Sequence, residues 1–215
     1  MSAIPPHSSL TNASLLSRVK NPDDFEAWRE FESRYRDLLV RFCKSSTGGR
    51  LQQADAEDVA QAVLASMFRA MPRFQYDRSK GRFRDYLFRC ARNAISQIRG
   101  GKAGRQSLNG AGTPLCLDEN IDSAGSGTPD PGLASTWERE WVAHHYRLAL
   151  DELKRSFDAK SVQIFEACLA GKSVTELQSM FGMTDQAIYK VRMRAKQRLE
   201  EIIARQIQEE DELGR

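Results

Sequence analysis

The 215-residue sequence is poor in the groups that build disulfide, metal or catalytic frameworks. Its 4 cysteines, Cys43, Cys90, Cys116 and Cys168, stand far apart without a CxxC pair, and its 3 histidines are His7, His144 and His145. Zinc sites use closely spaced Cys and His, and small secreted domains use paired cysteines. Neither is expected here, and the pattern fits a reducing cytoplasm. No run approaches the ~18 apolar residues of a membrane helix. Residues 1–10 lack a basic stretch followed by an apolar block, so no signal peptide is expected. No internal repeat is visible, and no segment alternates with strand period over a useful length. A catalytic cluster is missing as well. Glu57 and Asp58 are neighbours that point apart on a helix, and the histidines have no triad or metal spacing. Gly171-Lys172-Ser173 ends like a phosphate-binding loop, but Glu166 stands where the first glycine belongs and no strand precedes it. No metal, cofactor or small-molecule substrate is expected, and the chain reads as a non-enzyme.

What is present is charge, unevenly placed. The 32 basic and 29 acidic residues leave a net +3. Residues 1–102 carry 18 basic and 11 acidic side chains, residues 103–135 carry 1 and 4, and residues 136–215 carry 13 and 14. Within the first stretch, residues 69–102 hold 10 basic and 2 acidic residues. In the last, Lys190, Arg192, Arg194, Lys196 and Arg198 follow one another without an acid, ahead of the acidic run Glu209, Glu210, Asp211 and Glu212. Two basic tracts on separate segments read as two contacts with a polyanion.

Residues 103–135 read as a tether. Asn109-Gly110, Gly112, Gly125-Ser126-Gly127, Pro129 and Pro131 are turn and loop signals, and apolar residues are few and aperiodic. The chain therefore divides into a tail over 1–13, a domain over 14–102, an acidic linker over 103–135 and a domain over 136–215. Both domains read as all-α. Asn21, followed by Pro22 and two aspartates, is expected to cap a helix whose stripe is Trp28, Phe31, Tyr35, Leu38, Leu39 and Phe42. A second helix is expected from a cap at Asp55, burying Ala56, Val59, Ala60, Val63, Leu64, Met67 and Met71. After a loop over 73–81, a third buries Phe83, Tyr86, Leu87, Cys90, Ala91, Ile95 and Ile98 and turns Arg89, Arg92, Asn93, Ser96 and Arg99 outward.

In the second domain, Trp137, Trp141, Leu148 and Leu150 mark a leading helix, and Val162, Phe165, Cys168 and Leu169 mark the next, ended by Gly171. Ser173-Val174-Thr175-Glu176 is a capping box, Gly182 breaks the short helix it opens, and Thr184 can cap the following one. Met183 and Ile188 suit a hydrophobic staple. A short helix, a glycine turn and a longer helix form a helix-turn-helix, whose second helix commonly enters the DNA major groove. That helix is expected to bury Ile188, Val191, Ala195 and Leu199 and to expose Gln186, Tyr189, Lys190, Arg192, Met193, Arg194 and Lys196.

These residues resemble the sigma-70 family of bacterial RNA polymerase sigma factors, in its compact two-domain, extracytoplasmic-function class. Asp55-Ala-Glu-Asp-Val-Ala-Gln61 is similar to that family's polymerase-binding helix of region 2. Arg69-Ala-Met-Pro-Arg-Phe74, Phe83-Arg-Asp-Tyr-Leu87 and Ala91-Arg92-Asn93 resemble the stretch that melts and reads the −10 element. The stretch from Gly171 through Arg198 resembles region 4, which reads the −35 element. The resemblance implies two helical domains on a flexible link and a cytoplasmic factor that gives RNA polymerase core its promoter specificity. Its partners would be the beta-prime clamp of core, promoter DNA and, as a further candidate, an anti-sigma protein. It also implies core contacts at Asp55, Glu57, Asp58, Gln61, Leu64 and Arg69. The −10 contacts would fall at Phe74, Lys80, Arg82, Arg84, Arg89, Arg92, Asn93 and Gln97. The −35 contacts would fall at Thr184, Gln186, Tyr189, Lys190, Arg192, Met193, Arg194 and Lys196. Asn93 offers a donor and an acceptor to an unstacked base, and Phe74 and Tyr86 offer ring faces, though both rings also suit a core. The chain departs from the family at Ala62, where Glu is usual, at Ser66, where a basic residue is common, and at Tyr86, where Trp is common. A stand-alone helix-turn-helix regulator is the competing reading; it leaves the acidic helix and the basic tract of the first domain unused.

Overall fold

The computed structural model describes residues 15–73, 83–99 and 130–211. Among them there is no strand, and the all-α expectation holds. The helices are α1 (Leu15–Arg18), α2 (Phe25–Ser46), α3 (Gln53–Ala70) running into a 3-10 turn (Met71–Arg73), α4 (Phe83–Arg99), α5 (Pro131–Ser156), α6 (Ala159–Leu169), α7 (Val174–Phe181) and α8 (Asp185–Asp211). No described helix is long and apolar enough to cross a membrane. The loop residues 74–82, the linker residues 100–129 and both outer tails lie outside the described residues.

Helix periodicity turned into burial almost residue for residue. Phe31, Tyr35, Leu38, Leu39 and Phe42 are buried on α2, with Trp28 half-buried beside them. All seven stripe residues of α3 and its 3-10 turn are buried, as are Phe83, Tyr86, Leu87, Cys90, Ala91 and Ile95 of α4. The starts differ from expectation. Asp24, not Asn21, caps α2, its carboxylate accepting from the Ala27 N–H at 2.9 Å. Asn21 instead accepts from the Asp23 N–H at 3.1 Å and forms the turn that leads in. Both residues can cap, and the spacing to the buried Ala27 decides between them. The Ala27 N–H, and then Arg18 at 3.2 Å, hold the Asp24 carboxyl below its usual range. Likewise α3 begins at Gln53 after Gln52, so Asp55 sits in the first turn, where its charge faces the positive helix end.

Two compact units emerge, residues 15–141 with 209–211, and residues 142–208. The first thus reaches beyond the stretch expected for it. Helix α5 starts at Pro131, inside what reads as linker, because Asp130 accepts from the Gly132 N–H at 2.9 Å and Pro131 is preset for the first helical position. Trp137 and Trp141, expected in the second domain's core, are buried in the first instead. Trp137 stands edge-on to Phe42 with centroids 5.0 Å apart, and Trp141 stacks on Tyr35 at 6.4 Å. The second unit has two small apolar clusters. Ala149, Leu153, Phe165, Ala195, Leu199 and Ile202 form one, and Ile164, Leu177 and Ile188 form the other. Leu169 is half exposed and Val162 only partly buried, so the inward residues of α6 are Ile164 and Phe165. His145 Nδ1 lies 3.1 Å from Gln206 Oε1, a buried polar contact inside this unit. Cys43 and Cys168 are free thiols. Cys90 is disulfide-bonded, against the expectation of a chain without disulfides; sequence spacing does not report which thiols a fold brings together.

Phe31 is fully buried and meets Trp28, Tyr35 and Phe83. Phe31→Ala is expected to cost about 3–5 kcal/mol of unfolding free energy, read by denaturant titration, whereas a loss below about 1 kcal/mol would show that the cluster does not anchor the unit.

Candidate nucleic-acid interface

Three surfaces carry the residues singled out from the sequence. The first is the outer face of α3. Glu57, Asp58 and Gln61 are exposed, Gln61 standing at helical spacing from both acids, with Asp55 partly exposed a turn earlier. Glu57 accepts from Gln53 Nε2 at 2.6 Å, and Gln61 accepts from the Arg36 guanidinium, which also donates to Glu32 at 3.0 Å. This is an acidic, hydrogen-bonding face suited to a basic partner. Leu64 does not join it, being 5% exposed within the core. Arg69 is exposed but stands about 18 Å further along the helix from Glu57, at the rise of an α-helix. Ser66 and Tyr86 are buried and Ala62 packs against the core cluster, so all three departures concern positions turned wholly or partly inward.

The second surface is α4. Arg89, Asn93 and Gln97 recur every fourth residue and form one polar stripe, with Arg92 and Ser96 beside it. Asn93 and Ser96 are exposed. The Nε of Arg89 and the Oε1 of Gln97 are shielded from solvent without a hydrogen-bond partner among the described residues. Burial pushes the Arg89 guanidinium below its ordinary range, the reverse of what an ion-paired arginine shows. Such a stripe holds polar capacity in reserve for a polar ligand. Tyr86 is not part of it: the ring is 6% exposed, and burial raises its phenol to about 12. Phe74, Lys80 and Arg82 lie outside the described residues. Arg84 is committed within the fold. It pairs with Glu138 of α5, and its guanidinium carbon is 5.8 Å from the Trp141 ring centroid. Sequence reading missed Glu138 because it lies 54 residues away with no local pattern marking the pair.

The third surface is the helix-turn-helix of the second unit. Ser173 and Glu176 exchange both bonds of the capping box: the Glu176 N–H reaches Ser173 Oγ at 3.3 Å, and the Ser173 N–H reaches Glu176 Oε2 at 2.8 Å. These bonds hold the Glu176 carboxyl below its ordinary range. Gly182 takes φ +62°, the left-handed turn that admits a residue without Cβ. Thr184 then caps α8, accepting from the Ala187 N–H at 3.4 Å, and Met183 joins Ile188 in one apolar cluster as a staple requires. Every residue expected outward on α8 is exposed: Gln186, Tyr189, Lys190, Arg192, Met193, Arg194 and Lys196. Tyr189 at 61% and Met193 at 45% leave apolar surface between cations, a combination that fits a groove lined by bases and phosphates. Arg194 also lies over the Phe157 ring at 5.9 Å, and Lys196 is 3.6 Å from Glu200.

The described residues thus present an acidic face on α3, a polar and basic stripe on α4, and a helix-turn-helix whose last helix has a basic outer face. The comparison with protein families sharpens this. Residues 33–102, roughly a third of the chain, match the family Sigma-70 region 2. Over that segment the chain is similar to the Sigma-70 region 2 family. The matched segment spans most of α2 and all of α3 and α4, the helices that carry the first two surfaces. No curated protein and no solved structure matches the chain.

Ser173→Ala removes one half of the capping box. It is expected to destabilise the second unit by about 1 kcal/mol while Glu176 keeps its charge, measured as a shift in that unit's unfolding midpoint; no shift would mean that α7 is held by Leu177 packing alone.

Proposed function

We propose that the chain is a sigma factor of the extracytoplasmic-function class, acting in the cytoplasm to give RNA polymerase core its promoter specificity. The observation that carries the reading is the order of parts: a region 2 domain at residues 33–102, then a helix-turn-helix over 174–211 with its cations and exposed apolar groups on one helix. In this reading Asp55, Glu57, Asp58 and Gln61 meet the beta-prime clamp of core. Charge complementarity between that face and a basic surface supports it. The α4 stripe, with Asn93 at its centre, holds the −10 bases once they are unstacked, and the reserve polar capacity at Arg89 and Gln97 suits contacts formed only with DNA. Thr184, Gln186, Tyr189 and Met193, near the start of α8, take base edges of the −35 element, while Lys190, Arg192, Arg194 and Lys196 supply phosphate contacts. Residues 14–102 and 136–215 then act as the two promoter-reading parts, with 103–135 between them. An anti-sigma protein is the third partner this class suggests.

The decisive experiment is in vitro transcription with purified core on genomic DNA. New start sites that appear only when both components are present are the expected result. DNA binding without any core-dependent initiation would favour a stand-alone regulator. Changing Glu57 and Asp58 together to Lys is expected to weaken binding to core by tenfold or more while circular dichroism stays unchanged, one factor of ten corresponding to about 1.4 kcal/mol. Undiminished core affinity would remove α3 from that interface. Lys190→Ala should weaken −35 duplex binding across sequences and lower the salt slope by about 1, the mark of one lost phosphate contact.

A further inference from the structure

We propose that residues 131–141 and the acidic end of α8 form an internal clasp on the region 2 domain, in which the Glu138 carboxylate holds the place at Arg84 that a DNA phosphate would take. The inference rests on the assignment of the basic tract and α4 to promoter DNA. Arg84 opens α4 within the most basic stretch of the chain, yet it is ion-paired with Glu138 and faced by the Trp141 ring. A guanidinium fork donates to carboxylate and to phosphate oxygens in the same way, so the two compete for one set of donors.

The occupant is tied down at a second point. Trp141 lies nearly parallel to Tyr35, at an interplanar angle of 19°, and the buried Tyr35 hydroxyl donates to Glu210 Oε1 at 3.1 Å. Glu209 stands 3.9 Å from the neighbouring Arg34. Two acidic segments of the chain, one at the start of α5 and one at the end of α8, therefore converge on the aromatic group that flanks Arg84. This gives the acidic end of the chain a task. The Arg84–Glu138 pair keeps solvent access, with side-chain exposures of 28% and 54%, so salt or a polyanion can displace it without opening the core. Tyr35 and Glu210, by contrast, are buried and hold the segment in place.

The test compares the full-length chain with Glu138→Gln, using fluorescent single-stranded oligo-dT over a range of salt. The variant is expected to bind about fivefold more tightly, on the scale of one exposed charge pair. Its salt slope should steepen by about 0.7, one further phosphate contact on a single strand. In an Arg84→Gln background the same change should produce neither effect. Equal affinity and slope, or a gain that persists without Arg84, overturns the clasp. If the unaltered chain initiates transcription with core while Glu138→Gln shows none of these effects, the clasp falls and the function stands. A chain that neither binds core nor initiates removes the function itself.

Discussion

The first unit depends on one aromatic cluster. Phe31, Tyr35 and Phe42 of α2, Phe83 and the half-buried Phe88 of α4, and Trp137 and Trp141 of α5 meet at centroid separations typical of edge-on and offset ring pairs. Each ring buries a large apolar area, and together they fix the angle at which α4 leaves α2. Because α4 carries the Arg89, Asn93 and Gln97 stripe, the packing of these rings helps set where that polar surface lies. The acidic face of α3 is held the same way from the other side, through Val59, Val63 and Met67.

Much of this was legible in the sequence, for a physical reason. Apolar residues at helical spacing must be buried somewhere, so the stripes of α2, α3 and α4 announced their own inner faces. The capping box at Ser173, the left-handed glycine at 182 and the staple of Met183 with Ile188 are local motifs, and local motifs survive translation into structure because their partners are three to five residues away. The outward face of α8 followed from the same periodicity. Where two candidate caps competed, as at Asn21 and Asp24, composition alone did not choose; the register of the buried residues did.

The rest was hidden because it is not local. Pro131 reads as a turn former, and only the pairing of Asp130 with Gly132 makes it a helix start. Trp137 and Trp141 have the spacing of a helix stripe, but nothing in that spacing states which core they enter. Arg84 sits in a basic tract and reads as free to meet DNA until Glu138 is brought to it. Leu64 belongs to a motif that resembles a binding helix, and its position on the inner face separates the residues of that motif that build the helix from those that face outward. A motif is a string, whereas a surface is a choice among its members.

The Tyr35–Glu210 hydrogen bond joins residues 175 positions apart in a chain of 215. A ribosome delivers the chain from its N-terminus, and helices α1 to α4 can pack while most of the remaining residues are unmade. The bond to Glu210 has to wait until the last turn of α8 leaves the exit tunnel. Each newly made molecule therefore passes through a period in which its first helices are assembled and that contact is absent. The length of this period is set by the rate of translation rather than by the stability of the fold.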